Sequence, residues 1–185
     1  RLFNYPAQSK YENIENYSDK PGIKAIFSSN SYAAYDRCIF ETLEEFKSPS
    51  IMSEDLLFAA KSLLAGYSVC YQAEATVYHS HNYTLKQHFR RYFDTGYSHY
   101  VNRKVLSNFK TAEKEGWKYI VSELNFLFLS GHIFSALLYV PLLTVIRYLA
   151  FKVGYYANYW PQKINVRLSM NKQFWTCHGN PKKPR

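Results

Sequence analysis

The chain has 185 residues, enough for one domain with an additional segment, and its aromatic share of 18% argues against a chain that is disordered in bulk. Its three cysteines are widely spaced and odd in number, so we expect no disulfide framework and favour a reducing compartment. All 14 acidic residues lie at or before Glu123, whereas residues 124–185 carry 8 Lys and Arg, so this second part indicates an anionic partner or a solvated tail.

The first part of the chain predicts short, irregular elements. Residues 1–20 are polar and lack a clear period, which is typical of a loop or a surface arm. A Pro-Gly turn then predicts a strand near Ile23–Phe27, a turn at Ser28–Asn30 and an extended piece at Tyr32–Tyr35.

Two helices with recognisable ends follow. Asp36 is a candidate N-cap for a helix that runs through Phe46, and Ser53 is a candidate N-cap for the segment EDLLFAAKSLLAG. Gly66 ends this second segment, as is typical of a helical C-terminus.

The next segments predict two strands and a series of helices. The runs YSVCYQ and ATVYHS predict two short strands, and Thr84 predicts the start of a long helix that contains Gly96. From Trp117 to Tyr159 the pattern is helical and increasingly apolar.

The run Leu124–Ile146 has 23 residues without Asp, Glu, Lys or Arg. Its length allows a membrane span, but Pro141 and several polar residues fit a helix in the membrane interface, or a hairpin dipping into the bilayer, equally well. Arg147, Lys152 and a group of Tyr and Trp residues follow, as is typical of anchors at lipid headgroups. We therefore favour membrane contact over a core helix pair of a soluble protein.

Glu54 and Asp55 stand together at the start of the second predicted helix. Acidic residues in a first helical turn are commonly explained by the helix dipole alone. The alternative is that one carboxylate is a general base aimed into a cleft, where it can hydrogen-bond an incoming hydroxyl.

Two further groups of polar residues are ambiguous when taken separately. His79 and His81 lie two residues apart, so on a strand both would face one side, either as surface side chains or as two ligands of a metal site. Gln87, Arg90 and Arg91 lie on the following helix, either as a solvated face or, since Arg suits bidentate contacts, as a phosphate-binding face.

The order of these segments is more specific than any one of them. The run from FSSNSYAAYD through SEDLLFAAKSLLAG to YHSHNYTLKQHFRRYFDTGYSH resembles the second half of family 2 glycosyltransferases, and within them bacterial rhamnosyltransferases. The resemblance covers about residues 20–100, and YWPQKINVRLSMNKQFW is similar to the end of the same family. It implies an α/β fold, the C-terminal half of a GT-A (Rossmann-like) domain, followed by membrane-associated helices.

The resemblance also implies catalytic roles for the acidic pair. Asp55, in SEDL, would be the base that deprotonates an acceptor hydroxyl, while Glu54 helps to hold the acceptor. The hydroxyl would attack the anomeric carbon of a nucleotide sugar with inversion, and the nucleoside diphosphate would leave. The segment FSSNSYAAYD implicates Asn30 and Ala33 on the acceptor side of the cleft.

The same resemblance bears on the histidine and arginine groups. A histidine of YHSH would complete a site for a divalent ion, Mg or Mn, which neutralises the leaving diphosphate, and both His79 and His81 are candidates. Gln87, Arg90 and Arg91 resemble a substrate-binding Gln-x-x-Arg-Trp element, although the spacing is imperfect and a Tyr replaces the Trp.

Two motifs of the family lack counterparts in this sequence. LEEFKSP stands where a Gly-Gly-Phe-Asp-like turn is usual, and no two of the four Asp residues form the Asp-x-Asp motif that binds metal and nucleotide. Since the first residue is Arg and no signal peptide is visible, we expect a C-terminal fragment of a longer transferase. Such a fragment would lack the nucleotide-binding half and would not turn over alone.

The expected organisation has three parts: an acceptor-side half-domain at 1–105, an apolar membrane-associated helical region at 106–160, and a basic aromatic tail at 161–185. The expected partners are dTDP-rhamnose as donor, a lipid-linked glycan as acceptor and an anionic membrane surface, with no nucleic acid. The predicted location is the cytoplasmic face of the bacterial inner membrane.

Two other functions are compatible with parts of the sequence. A degenerate or split transferase could serve as a scaffold, but its exposed sheet edges and open cleft would need a partner chain. A basic segment with interleaved aromatics could bind nucleic acid. The apolar run within residues 124–146 argues against this last function, because a nucleic-acid arm has no use for it.

Overall fold

The computed structural model describes residues 5–46, 49–79, 81–110 and 113–178. The α-helices within these ranges are α1 (Arg37–Thr42), α2 (Glu54–Leu64), α3 (Leu85–Val101), α4 (Arg103–Leu106), α5 (Glu113–Leu129), α6 (Val140–Tyr155), α7 (Gln162–Leu168) and α8 (Lys172–His178). A π-helical turn, Ser135–Tyr139, leads into α6, and 3-10 turns occur at Ile14–Asn16, Ile23–Ile26 and Ala157–Tyr159. Strands β1 (Lys10–Glu12) and β2 (Val69–Tyr71) pair antiparallel, with Lys10 opposite Tyr71.

The described residues divide into two compact units. The first unit takes residues from 1–47, 54–81 and 103–119, and the second takes residues from 48–53, 82–102 and 120–185. Residues of the two units alternate along the chain. The three parts predicted from the sequence, 1–105, 106–160 and 161–185, are instead continuous stretches that were defined by function. The division into units does not test them, so they stay predictions.

The first unit has a small core beside α2. The buried members are Ala25, Ile26, Ala59, Ala60, Leu63 and Phe109. The Gly66 amide donates to the Leu63 carbonyl with φ at +88°, so the predicted glycine C-terminus of α2 is confirmed.

Three predictions for the short elements are wrong. Residues 1–20 include strand β1, which pairs with a segment far along the chain. Ile23–Ile26 is a 3-10 turn instead of a strand: the Ala25 amide donates to the Gly22 carbonyl at 3.0 Å, and the turn buries the adjacent Ala25 and Ile26 together. The segment ATVYHS has no strand in its described residues 75–79, and β2 pairs with β1 instead.

The predicted helix starts are mostly confirmed. Asp36 caps α1 by accepting the Ile39 amide at 3.0 Å, but the helix ends at Thr42 because Glu44 and Glu45 have left-handed backbones. Helix α2 begins at Glu54 as predicted, although Ser53 has φ +66° where an N-cap is usually extended.

Helix α3 begins and packs through specific side-chain and glycine contacts. Thr84 and Gln87 form a capping box at its start, which confirms the predicted cap. A Cβ atom at Gly96 would lie 2.0 Å from the Phe151 carbonyl oxygen of α6, and one at Gly154 would lie 1.9 Å from the Phe93 carbonyl oxygen. Only glycine allows the two backbones to approach this closely.

The core of the second unit encloses a carboxylate. Its buried apolar residues are Ile51, Phe93, Tyr97, Ala157 and Trp175. Asp94 is 1% exposed, and its Oδ2 accepts the amides of Met170 at 2.9 Å and Asn171 at 3.0 Å, just before α8. Burial raises the pKa of the Asp94 carboxyl above its ordinary value, and these hydrogen bonds oppose that effect.

The apolar run forms parts of two helices. Helix α5 ends at Leu129, and Gly131, with φ +75°, lies in the break that follows. Pro141 is the second residue of α6 and directly follows the π-helical turn Ser135–Tyr139. The segment Ser135–Tyr155 is long and apolar enough to cross a membrane, and an 18-residue stretch within it has a mean hydropathy of 1.6 with 22% of its residues buried.

Candidate active site

The acidic pair lies in the first turn of α2, within the first unit. Both side chains are half-buried, while Leu57, Ala60 and Leu63 of the same helix are buried in the core. The core contact of α2 therefore fixes where its first turn lies, and Glu54 and Asp55 are held at that end.

Asn30 joins the two carboxylates. Its backbone amide donates to Asp55 Oδ2 at 3.0 Å, and its side-chain Nδ2 donates to Glu54 Oε1 at 3.2 Å. The other Asp55 oxygen, Oδ1, accepts the Leu56 amide at 2.8 Å. The structure thus brings together three residues that the sequence predicted for the site: Asn30, Glu54 and Asp55.

Tyr35 orients the Asn30 side chain. Its hydroxyl donates to Asn30 Oδ1, which leaves Asn30 Nδ2 directed at Glu54. The Tyr35 ring is held by edge contacts with Phe58 at 5.3 Å and Phe46 at 5.4 Å. Sequence reasoning missed Tyr35, because its role depends on α2 returning to the loop 25 residues earlier, and no local pattern in YAAYD indicates that.

The two carboxylates contribute to the raised pKa values of nearby Tyr hydroxyls. The pKa of Tyr35 is raised, chiefly by burial and also by the negative charges of Asp55 and Glu54. The pKa of Tyr5 is raised in the same direction by burial, by Tyr71 and by Asp55. Both phenols are therefore neutral hydrogen-bond donors at neutral pH and do not compete with Asp55 as bases.

The two histidines pair with each other. The Nε2 atoms of His79 and His81 lie 2.7 Å apart, and the rings meet edge to face. In the part of the chain that the structure describes, no group of three or more His, Cys, Asp or Glu side chains could hold a metal ion. The described residues therefore do not complete a metal site, and the predicted Mg or Mn remains a prediction.

The predicted substrate-binding residues of α3 belong to the second unit. The Gln87 side chain takes part in the capping box, and Arg90 Nη2 donates to the Arg167 carbonyl at 3.4 Å. The Arg91 guanidinium lies 5.8 Å from the centre of the Tyr83 ring. Ala33 lies in the first unit, exposed, in the loop between Asn30 and Tyr35.

The arrangement around Asp55 suits proton abstraction from a hydroxyl. Each of its oxygens accepts one backbone N–H, and each retains a second lone pair for another donor. The two N–H bonds hold the carboxylate in one orientation, which a general base requires. Glu54, held by Asn30, stands beside it as a second acceptor for a polyhydroxyl ligand.

Two named relatives match almost the whole of this chain. It is 39% identical over 178 residues to the O-antigen chain rhamnosyltransferase RfbN of Salmonella typhimurium and, over the same length, to the O-antigen chain rhamnosyltransferase WbaN of Salmonella anatum. Each alignment covers 95% of this chain and 55% of the relative. The chain therefore spans about half the length of these relatives.

These relatives confirm the predicted resemblance to rhamnosyltransferases. No protein-family profile matches the chain, and no solved structure matches it. Family 2 membership and the GT-A fold therefore stay predictions.

Proposed function

We propose that the chain forms the acceptor-side part of a rhamnosyltransferase that acts in O-antigen synthesis. The donor is a nucleotide sugar, dTDP-rhamnose, and the acceptor is a lipid-linked glycan. The observation that carries the proposal is that Asn30 joins Glu54 and Asp55 in one site. The names of the two relatives support the reaction class.

The proposed transfer is a single displacement at Asp55. An acceptor hydroxyl gives its proton to an Asp55 carboxylate oxygen, and the hydroxyl oxygen forms a bond to the anomeric carbon of rhamnose. The bond from that carbon to the nucleoside diphosphate breaks, so the configuration inverts. Glu54 and Asn30 bind neighbouring hydroxyls of the acceptor and hold the attacking oxygen in line.

Asp55→Asn in the whole protein tests this proposal. Asn keeps the shape of the side chain and can keep one of its two hydrogen bonds from backbone N–H groups, but it cannot take the proton, so we expect rhamnosyl transfer to fall by roughly 10²–10⁴-fold. The assay measures transfer from dTDP-rhamnose to a lipid-linked acceptor, with circular dichroism as the check on folding.

Asp36→Asn is the matched control. Asp36 caps α1, and Asn caps helices as well as Asp does, so transfer should be nearly unchanged. Near-normal turnover of Asp55→Asn would remove Asp55 as the base.

We also propose that this part of the protein lies on the cytoplasmic face of the inner membrane. Leu138, Leu142, Val145 and Leu149 recur at helical spacing along α6 and the turn before it, and all are about half exposed or more. An exposed apolar stripe of this kind is typical of a surface that meets a membrane or another protein. The eight basic residues and absent acids of 124–185 favour an anionic lipid surface.

A further inference from the structure

A small basic cavity lies in the second unit, between the start of α3 and the end of α7. Its volume is about 270 Å³, and it is lined by Lys86, Phe89, Arg90, Arg167 and Leu168. The polar lining residues all carry positive charge, and no acidic residue is among them.

Local structure explains why these side chains converge. Lys86, Phe89 and Arg90 are three and four residues apart, so they share one face of α3. Arg167 and Leu168 are the last residues of α7, and the Arg167 carbonyl accepts a hydrogen bond from Arg90. That bond uses one donor of a guanidinium that has five, so Arg90 keeps donors for a ligand.

The lining has a polar part and an apolar part. Phe89 and Leu168 are half-buried and pack against the core of the second unit, so they form a fixed apolar wall. Lys86 and Arg167 are exposed and Arg90 is half-buried, so none of the three cations is fully buried and each is accessible to a ligand. Such a set fits an anion that carries an apolar group.

The size of the cavity limits the ligand. At about 270 Å³ it lies just below the ~300–1,000 Å³ that is usual for drug-sized ligands. It is therefore better matched to a single phosphate with a few attached carbons than to a nucleotide sugar. Arg, with its planar fork of donors, is well suited to phosphate oxygens.

The surface next to the lining residues indicates where such a phosphate would come from. Leu85, which precedes Lys86 at the start of α3, and Ile164, three residues before Arg167 on α7, are 38% and 40% exposed. Exposed apolar side chains beside a group of cations are typical of a surface that meets lipid.

We propose that this cavity binds the phosphate headgroup of an anionic membrane lipid. The phosphate oxygens are held by Lys86, Arg90 and Arg167, and the carbons next to the phosphate lie on Phe89 and Leu168. The inference rests on the proposed membrane location and is independent of the transfer reaction at Asp55.

The test compares two double variants of the whole protein. Arg90→Gln with Arg167→Gln removes two charges from the cavity, and Lys163→Gln with Lys172→Gln removes two charges from exposed positions outside its lining. Affinity is measured with vesicles of phosphatidylcholine that contain phosphatidylglycerol. We expect the cavity variant to bind roughly tenfold more weakly than the control variant.

Two further measurements keep the result interpretable. Lys86→Gln, at an exposed position with little risk to folding, should weaken vesicle binding more than Lys163→Gln alone. Calorimetry with inorganic phosphate distinguishes a lipid headgroup from a free anion. Equal losses in the cavity and control variants would mean diffuse charge and overturn the proposal. A loss for inorganic phosphate without a loss for vesicles would overturn the lipid assignment.

Discussion

At the scale of single residues, Tyr35 connects the hydrophobic packing of the first unit to its polar site. Its ring is fixed by Phe46 and Phe58, and its hydroxyl sets which way the Asn30 amide points. The Asn30 side chain can then donate to Glu54. We therefore assign Tyr35 as a positioning residue that acts through Asn30.

Tyr35→Phe should lower kcat/KM for transfer by roughly 3- to 10-fold, the value of one net hydrogen bond, with little loss of stability. Because Tyr35 acts through Asn30, the effects of Tyr35→Phe and Asn30→Ala should not add in a double-mutant cycle. Tyr32→Phe, at a side chain that is 65% exposed, is the control and should leave transfer unchanged. Full additivity of Tyr35→Phe and Asn30→Ala would contradict the assignment.

The raised pKa of Asp94 predicts how the free energy of unfolding depends on pH. Its pKa is raised in the folded protein, so the protonated carboxyl contributes stability below the ordinary pKa of about 4, and this contribution is lost as pH rises through the higher native pKa. We measure the free energy of unfolding in urea at a series of pH values from acid to neutral. As pH rises, this free energy should fall for wild type relative to Asp94→Asn.

Asp19 provides a comparison of opposite sign. Its pKa is lowered by a hydrogen bond from the Lys20 backbone and by Lys110, so wild type should gain stability relative to Asp19→Asn as pH rises through the acid range. If the free energies of unfolding of wild type and Asp94→Asn changed with pH in parallel, the pKa of Asp94 would not be raised in the folded protein, and the prediction for Asp94 would be wrong.

At the scale of elements, the contact of α3 with α6 depends on two glycines that face opposite backbones. A methyl group at Gly96 or Gly154 would overlap a carbonyl oxygen of the other helix, and backbone cannot move aside as a flexible side chain can. The helices must separate to accommodate it, which loosens the contacts on both sides of the crossing.

Gly96→Ala and Gly154→Ala should each lower the free energy of unfolding by about 1–3 kcal/mol or more. Gly116→Ala is the control, since nothing lies within 4 Å of its Cβ position in α5, and Ala there should stabilise by about 0.5–1 kcal/mol. Chemical denaturation followed by circular dichroism measures all three. A neutral effect of Gly96→Ala would mean that the helices are not in this close contact.

At the scale of the whole molecule, the distribution of charge and apolar surface predicts how the protein meets a membrane. Replacing Leu142 and Leu149 by Gln removes part of the exposed stripe of α6, at side chains that are 49% and 52% exposed. Flotation with anionic vesicles should then decrease several-fold, because each buried CH₂ contributes about 0.8 kcal/mol.

Leu64→Gln, at an exposed position that ends α2, is the control and should float like wild type. Salt should weaken flotation of all the variants, since basic residues attract the lipid surface. Unchanged flotation of the Leu142 and Leu149 variant would show that α6 does not contact lipid.

The structural features that can be predicted from the sequence alone are local ones, chiefly the ends of helices. Asp36, Thr84 and Gly66 mark helix ends because each interacts with backbone groups within a few residues, so the order of side chains is sufficient to predict them. The acidic pair and Asn30 were also identifiable, through the resemblance of their segments to known transferases.

The tertiary structure decided which distant groups meet. Strand β1 pairs with β2 about sixty residues later, and Asp94 binds amides more than seventy residues away, and neither partner is implied by any local period. The same holds for Tyr35, whose function exists only because α2 packs back against the loop that carries Asn30. Where the local sequence is compatible with more than one structure, burial and hydrogen bonding between segments far apart in the chain therefore decide which structure forms.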